Sequence, residues 1–115
     1  MSVETVVIGA RGYTGGELLP LLLAHPECTL TAVGSRTAKG ELVSRQIERM
    51  DGCALRFSDI GPADVGHFPA DLFILALPNG EAREYAREIS LHHASAVIID
   101  LSADFRFDAS WIYGQ

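Results

Sequence analysis

Apolar residues along this chain fall into two recurring patterns, short unbroken runs and longer stretches at helical spacing, and the two patterns alternate. Thr5-Val6-Val7-Ile8 is a β-branched run that stops at Gly9 and reads as a buried strand. Gly16 to Ala24 follows, carrying Leu18, Leu19, Leu21, Leu22 and Leu23 as a broad apolar helical face. Pro20 lies inside that stretch, where a missing backbone donor costs about 3 kcal/mol, so a kink is expected there. His25-Pro26-Glu27 ends the helix, and Cys28 to Gly34 forms a second strand favoured by its threonines and valine.

Ser35 to Gly52 is polar and reads as a loop with a weak helix from Leu42 to Met50; Ala54 to Phe57 looks like a short strand. Asp59 to Pro69, with two glycines and two prolines, reads as a connection holding one helical turn. Asp71 to Leu77 is the next strong strand and is closed by Pro78-Asn79-Gly80. Glu81 to His92 has helical spacing, with Ala82, Tyr85, Ala86 and Ile89 on one face. Ala96 to Leu101 is a further apolar strand, and the tail from Ser102 to Gln115 carries Phe105, Phe107, Trp111 and Tyr113. Apolar strands separated by helices imply parallel pairing through βαβ crossovers. The expected fold is α/β: a single Rossmann-type domain over residues 1–115, doubly wound around an open, mostly parallel sheet.

Composition narrows the function classes. A chain of 115 residues has room for one core, and 48% apolar with 21% charged residues is the profile of a soluble globular protein. A net charge of -6 argues against a surface that tracks nucleic-acid phosphates. No apolar run approaches the roughly 20 residues that span a bilayer, and Met1-Ser2-Val3-Glu4 shows no signal-peptide character, so a cytoplasmic location is expected. Cys28 and Cys53 are expected to be free thiols rather than nucleophiles, since neither has a neighbouring group in sequence that would lower its pKa. His25 and His67 read as solvent-facing, and His92-His93 as closing a helix whose dipole favours a cation; no metal site is expected.

The candidate chemistry begins where the first strand ends. Gly9, Gly12 and Gly15 recur every third residue in Gly9-Ala10-Arg11-Gly12-Tyr13-Thr14-Gly15, a variant of the dinucleotide-binding glycine turn. Such a turn reverses the chain after a strand and lets backbone amides at a helix start approach a pyrophosphate. A purely structural tight turn uses the same glycines, so the sequence around it has to decide. The second strand ends Val33-Gly34-Ser35-Arg36, without the acid that holds the adenosine ribose in NAD-preferring domains. A carboxylate would repel a 2′-phosphate, whereas a hydroxyl and a guanidinium would bind it; the competing view is that Arg36 merely solvates a loop. NADP(H) is therefore the expected cofactor. Leu77, Pro78, Asn79 and Ser102 follow later strands and fall on the same side, while Asp104 and Arg106 suit a local ion pair. The candidate cofactor residues are Gly9, Arg11, Gly12, Tyr13, Thr14, Gly15, Ser35, Arg36, Leu77, Pro78, Asn79 and Ser102, with no catalytic residue among them.

The run from Gly9 to Leu19, then His25-Pro26, Ser35-Arg36, Ala76-Leu77-Pro78-Asn79-Gly80, Asp100-Leu101-Ser102-Ala103-Asp104-Phe105-Arg106 and Trp111-Ile112-Tyr113-Gly114, resembles the N-acetyl-gamma-glutamyl-phosphate reductases along essentially the whole chain. The resemblance implies NADPH-dependent reduction of N-acetyl-gamma-glutamyl phosphate to N-acetylglutamate semialdehyde in arginine biosynthesis. In that family a cysteine thiolate expels phosphate to form a thioester, which hydride then reduces, with a histidine as acid/base. The family's Asn-Pro-Gly-Cys motif does not occur here, and the resemblance covers the cofactor domain but not the catalytic one. The expectation is thus an inactive fragment that meets the acyl phosphate only with the missing domain, and that self-associates through a bared strand edge. Two other readings stand beside it: a stand-alone NADP-sensing module, and the cofactor domain of a related semialdehyde dehydrogenase.

Overall fold

A computed structural model describes residues 2–9, 12–36, 38–47, 50, 52–77 and 80–101, of which 12–15 are described for the backbone alone. Strand β1 (Val3–Ile8) leads into helix α1 (Gly12–Ala24), and β2 (Cys28–Gly34) into the single turn α2 (Val43–Gln46). After β3 (Phe57–Ser58) come a 3-10 helix (Pro62–His67), β4 (Leu72–Leu75), α3 (Ala82–His92) and β5 (Val97–Asp100). The five strands form one sheet in the order β3-β2-β1-β4-β5, with every strand pair parallel. This is the α/β, doubly wound architecture that the alternating pattern predicts.

Side-chain alternation along the strands divides the core between the two faces. Val6, Ile8, Phe73 and Leu75 face α3 and the 3-10 helix, joining Val65, Tyr85 and Ile89. Val7, Val33 and Ile74 face the opposite way, toward Leu19 of α1, Val43, Met50 and Phe57. Full burial of one such aliphatic or aromatic side chain stabilises by roughly 1.5–3 kcal/mol, so the central strands β1 and β4 anchor both layers. The apolar face expected for α3 is the one buried, with Ala82, Tyr85, Ala86 and Ile89 inside.

Several element boundaries differ from expectation for local reasons. Helix α1 begins at Gly12, inside the glycine turn rather than after it, and is helical through Pro20. The residue four before Pro20, whose carbonyl the ring meets, is the side-chain-free Gly16. Leu19 is buried and Leu18 and Leu22 pack against the same core, while Leu21 and Leu23 stay exposed. Strand β3 is only two residues long, because Arg56 pairs instead with Leu42 in an antiparallel bridge. The expected helix from Leu42 to Met50 shrinks to α2, and the expected single turn before β4 is a six-residue 3-10 helix started by Pro62. Its first turn is tied by the Asp64 carboxylate, which accepts from Gly61 N at 2.9 Å. His25 and His67 are exposed as expected, whereas His93 packs at a tilt against the Phe73 ring and lies 2.8 Å from the Val65 carbonyl. The tail from Ser102 onward lies outside the described residues.

The chain leaves β1 at Gly9 with φ +87°, a conformation that favours glycine. A Cβ there would collide with the Ala76 carbonyl oxygen and come within 2.9 Å of its carbon and of Leu77 Cδ2. Gly16, within α1, has nothing within 4 Å of the same position. Gly9→Ala is therefore expected to lower the unfolding free energy by at least ~2 kcal/mol, and Gly16→Ala to raise it by about 0.5–1 kcal/mol. Urea denaturation of the two variants checks the opposite signs.

Candidate functional site

The strand order reverses around β1: the chain moves outward through β2 and β3, then returns to the other side as β4 and β5. In such sheets the carboxyl ends of the central strands leave a crevice, because the connections diverge there. The backbone ladder carries on past the strand ends and shapes its rim. Gly9 N donates to Gly34 O at 2.8 Å, Ser35 N to Ser58 O at 2.9 Å and Ala76 N to Ile8 O at 2.8 Å. The resulting cavity of about 470 Å³ is lined by Ile8 and Gly9 at the end of β1, by Gly34, Ser35 and Arg36 at the end of β2, and by Asp59 and Ile60 after β3. Ala76 and Leu77 after β4, with Glu81 at the N-cap of α3 and Tyr85 within it, complete it.

Gly9, Ser35, Arg36 and Leu77, four of the expected site residues, thus meet in one crevice. Gly12, Tyr13, Thr14 and Gly15 form the first turn of α1, and their backbone alone is described. Arg11, Pro78, Asn79 and Ser102 lie outside the described residues. Ser35 is buried, with its Oγ accepting from Ala38 N at 3.3 Å, so the hydroxyl both braces the turn after β2 and keeps a proton to donate. Gly34 stays small because a Cβ would already lie 3.3 Å from Ile60 Cδ1. Arg36 is exposed.

Tyr85, Asp59, Ile60 and Glu81 were not among the residues that the sequence pointed to. Tyr85 is only 4% exposed, and its hydroxyl donates to the Ile60 carbonyl at 2.6 Å. The Arg36 guanidinium and the Glu81 and Asp59 carboxylates are near enough to act on the same phenol electrostatically. Burial is the main influence and pushes the phenol above its ordinary value of 10.0; Arg36 opposes this in part, while Glu81 and Asp59 add to it. Tyr85 is therefore a neutral hydrogen-bonding group at any ordinary pH. Its place at helical spacing after Ala82 marked it as core, which it is; the one available hint was that a phenol on an apolar face brings a polar tip.

The crevice pairs an apolar wall (Ile8, Ile60, Leu77) with a guanidinium and a buried hydroxyl, a surface suited to a flat base and an anion. Neither cysteine lines it. Cys28 opens β2 at the other end of the sheet, 3.8 Å from Thr5 Oγ1, and Cys53 is buried in the core on the α1 side. Among the described residues no group of three or more His, Cys, Asp or Glu is placed to hold a metal ion, and no helix is long and apolar enough to cross a membrane.

The raised phenol of Tyr85 has a sign that can be checked. Its contribution to stability is fully present below the ordinary value of 10.0 and is lost as pH rises through the higher folded-state value. The stability difference between the parent chain and Tyr85→Phe should thus be flat up to about pH 10 and then shift against the parent chain. Urea midpoints measured from pH 8 to 11 test this, and a constant difference throughout would contradict it.

A family model described as the semialdehyde dehydrogenase NAD binding domain matches residues 4–115. The N-acetyl-gamma-glutamyl-phosphate reductases of Xanthomonas campestris pv. campestris (strain 8004) and Xylella fastidiosa (strain 9a5c) are 42% and 47% identical to the chain over 108 residues. The matches cover 94% of this chain and 34% and 32% of those proteins, so it spans about a third of their length. Among solved structures, aspartate semialdehyde dehydrogenase with NADP from Candida albicans aligns at a TM-score of 0.71 and 19% identity, covering 92% of this chain and 31% of that one. Aspartate semialdehyde dehydrogenase II from Vibrio cholerae, complexed with ASA, aligns at 0.67 and 16%, covering 94% and 30%. At those identities the likeness shows a shared fold, and together with the match along residues 4–115 it places the chain in the family of semialdehyde dehydrogenase NAD-binding domains.

Proposed function

We propose that the chain binds NADP(H) and forms the cofactor-binding part of an N-acetyl-gamma-glutamyl-phosphate reductase. The observation that carries the cofactor reading is the crevice at the strand ends, where Ser35 and Arg36 stand in place of an acid after β2. Its residues fit a phosphorylated dinucleotide. Gly9 leaves no Cβ between the β1 exit and Ala76, so backbone rather than side chain borders the crevice there. The first turn of α1 follows directly, and a helix start favours an anion. Ile60 and Leu77 offer an apolar wall for a base, and Arg36 a charge-assisted partner for a 2′-phosphate. Arg11, Tyr13, Thr14, Pro78, Asn79 and Ser102 belong to the same proposed site on sequence grounds.

Identities of 42% and 47% to reductases over nearly the whole chain favour N-acetyl-gamma-glutamyl phosphate as the substrate of the complete enzyme over other acyl phosphates. When bound, the cofactor supplies the hydride for that reduction. This chain's own part is to bind and orient: the strand ends fix the backbone, Arg36 and Ser35 hold the phosphate, and the apolar wall excludes water. With Cys28 and Cys53 away from the crevice, acyl transfer falls to residues beyond those described here.

The parent chain should bind NADPH at least about tenfold more tightly than NADH. Arg36→Asp should weaken NADPH binding by about 10- to 100-fold, the worth of a charge-assisted contact, with little change for NADH. Calorimetric titration with both cofactors decides; equal losses for both, or none, would remove the 2′-phosphate assignment.

A further inference from the structure

The pairing between β2 and β3 ends early. Phe57 and Ser58 are the whole of β3, and Ser35 N donates to Ser58 O at 2.9 Å across its end. Ile60 stands two residues past that point, yet it lines the crevice and is only 3% exposed. Its side chain lies over Gly34, the last residue of β2, so closely that a Cβ there would be 3.3 Å from Ile60 Cδ1. The buried Tyr85 hydroxyl, from α3, donates to the Ile60 carbonyl at 2.6 Å. Gly61 comes next, with its N donating to the Asp64 carboxylate and its O accepting from Asp64 N, each at 2.9 Å.

A residue past the end of its strand has no ladder to fix its backbone, and connecting segments are the more mobile for it. At Ile60 the phenol supplies the missing tie. A buried carbonyl and a buried hydroxyl are each costly to leave unpaired, so the two keep one another in place. Ligand geometry then chooses between the apolar walls of the crevice. A 2′-phosphate and its base share one ribose, so a phosphate held at Ser35 and Arg36 puts the base near the exits of β2 and β3. Ile60 lies at that end. Leu77 follows β4, which β1 separates from β2 by two strand spacings, roughly 10 Å.

We propose that Tyr85 is a positioning residue for the adenine end of this crevice: its hydroxyl fixes the Ile60 backbone and so holds the Ile60 side chain as the surface on which the base rests. The proposal rests on the NADP(H) reading above and adds to it a residue of α3 that acts through the β3 exit. The base is common to NADPH and NADH, so Tyr85 contributes to affinity for both and to preference for neither.

Titrations with NADPH, NADH and adenosine 2′,5′-bisphosphate test the affinity. Tyr85→Phe keeps the ring and removes the donor. It should weaken all three ligands about three- to tenfold, the worth of one buried hydrogen bond, and leave the NADPH-to-NADH ratio within about twofold of the parent chain's. A loss for NADPH alone, or no loss for any ligand, would overturn the proposal. A local readout separates positioning from general packing. With isoleucine and leucine methyls labelled by ¹³C, saturating adenosine 2′,5′-bisphosphate should move the Ile60 Cδ1 resonance of the parent chain through the ring current of the base and give it NOEs to the adenine protons. In Tyr85→Phe at saturation that shift should shrink and the NOEs weaken, while the Leu77 methyls respond as in the parent chain. Ile60 and Leu77 altered alike would reveal general loosening and count against the positioning role. An Ile60 methyl in the parent chain that does not sense the bound base would overturn it without reference to the variant's folding. A parent chain that binds neither NADPH nor adenosine 2′,5′-bisphosphate would overturn the cofactor reading, and the proposal with it.

Discussion

The rim of the sheet depends on how closely the chain passes the β4 exit as it leaves β1. Gly9 turns there at φ +87°, against the Ala76 carbonyl and the Leu77 side chain, with no space for a Cβ. The same glycine donates to Gly34 O, and Ile8 O accepts from Ala76 N, so the exits of β2, β1 and β4 are bonded in a row. That row makes the crevice narrow in backbone and open above it. A wider turn would push α1 away from the sheet and draw Leu19 out of the core, while the Gly9 and Ala76 backbone would no longer close one side of the crevice. Stability and site geometry are therefore set by one backbone contact.

Electrostatics add a second, more local constraint. A chain with net charge -6 disfavours anions at long range, and the described crevice itself holds two carboxylates beside Arg36. Affinity for a phosphate then depends less on how many cations are present than on what each one faces.

What the sequence made legible was governed by local pattern. Cys28 to Gly34 is a strand from its first predicted residue to its last, and α3 buries the four residues that its spacing selected. The parallel order followed from alternation of strands with helices, and Ser35, Arg36, Gly9 and Leu77 could be placed on one rim because every parallel strand ends on the same side. The errors share a cause in tertiary competition. Arg56 left the predicted strand because Leu42 offered it an antiparallel bridge, and the turn at Gly12 was helical because a glycine turn and a helix start overlap. Asp59, Ile60, Glu81 and Tyr85 were invisible as site residues for the same reason. Each is unremarkable in its own segment, and they become a site only when α3 packs over the exits of β2 and β3.

This division explains why fold and chemistry diverge among the relatives. Solved structures at 16–19% identity reproduce the chain path with TM-scores of 0.67–0.71. Reductases at 42–47% identity share much more than that minimum. The extra identity is meaningful where it falls on side chains that the fold does not require, because a fold alone never assigns a function. Arg36 is exposed and supports no core, so packing does not account for an arginine at that position. Tyr85 is the converse case: phenylalanine would fill the same core space, and the hydroxyl adds the hydrogen bond to the Ile60 carbonyl. The information that separates one member of this fold from another is thus concentrated in atoms that the core does not need.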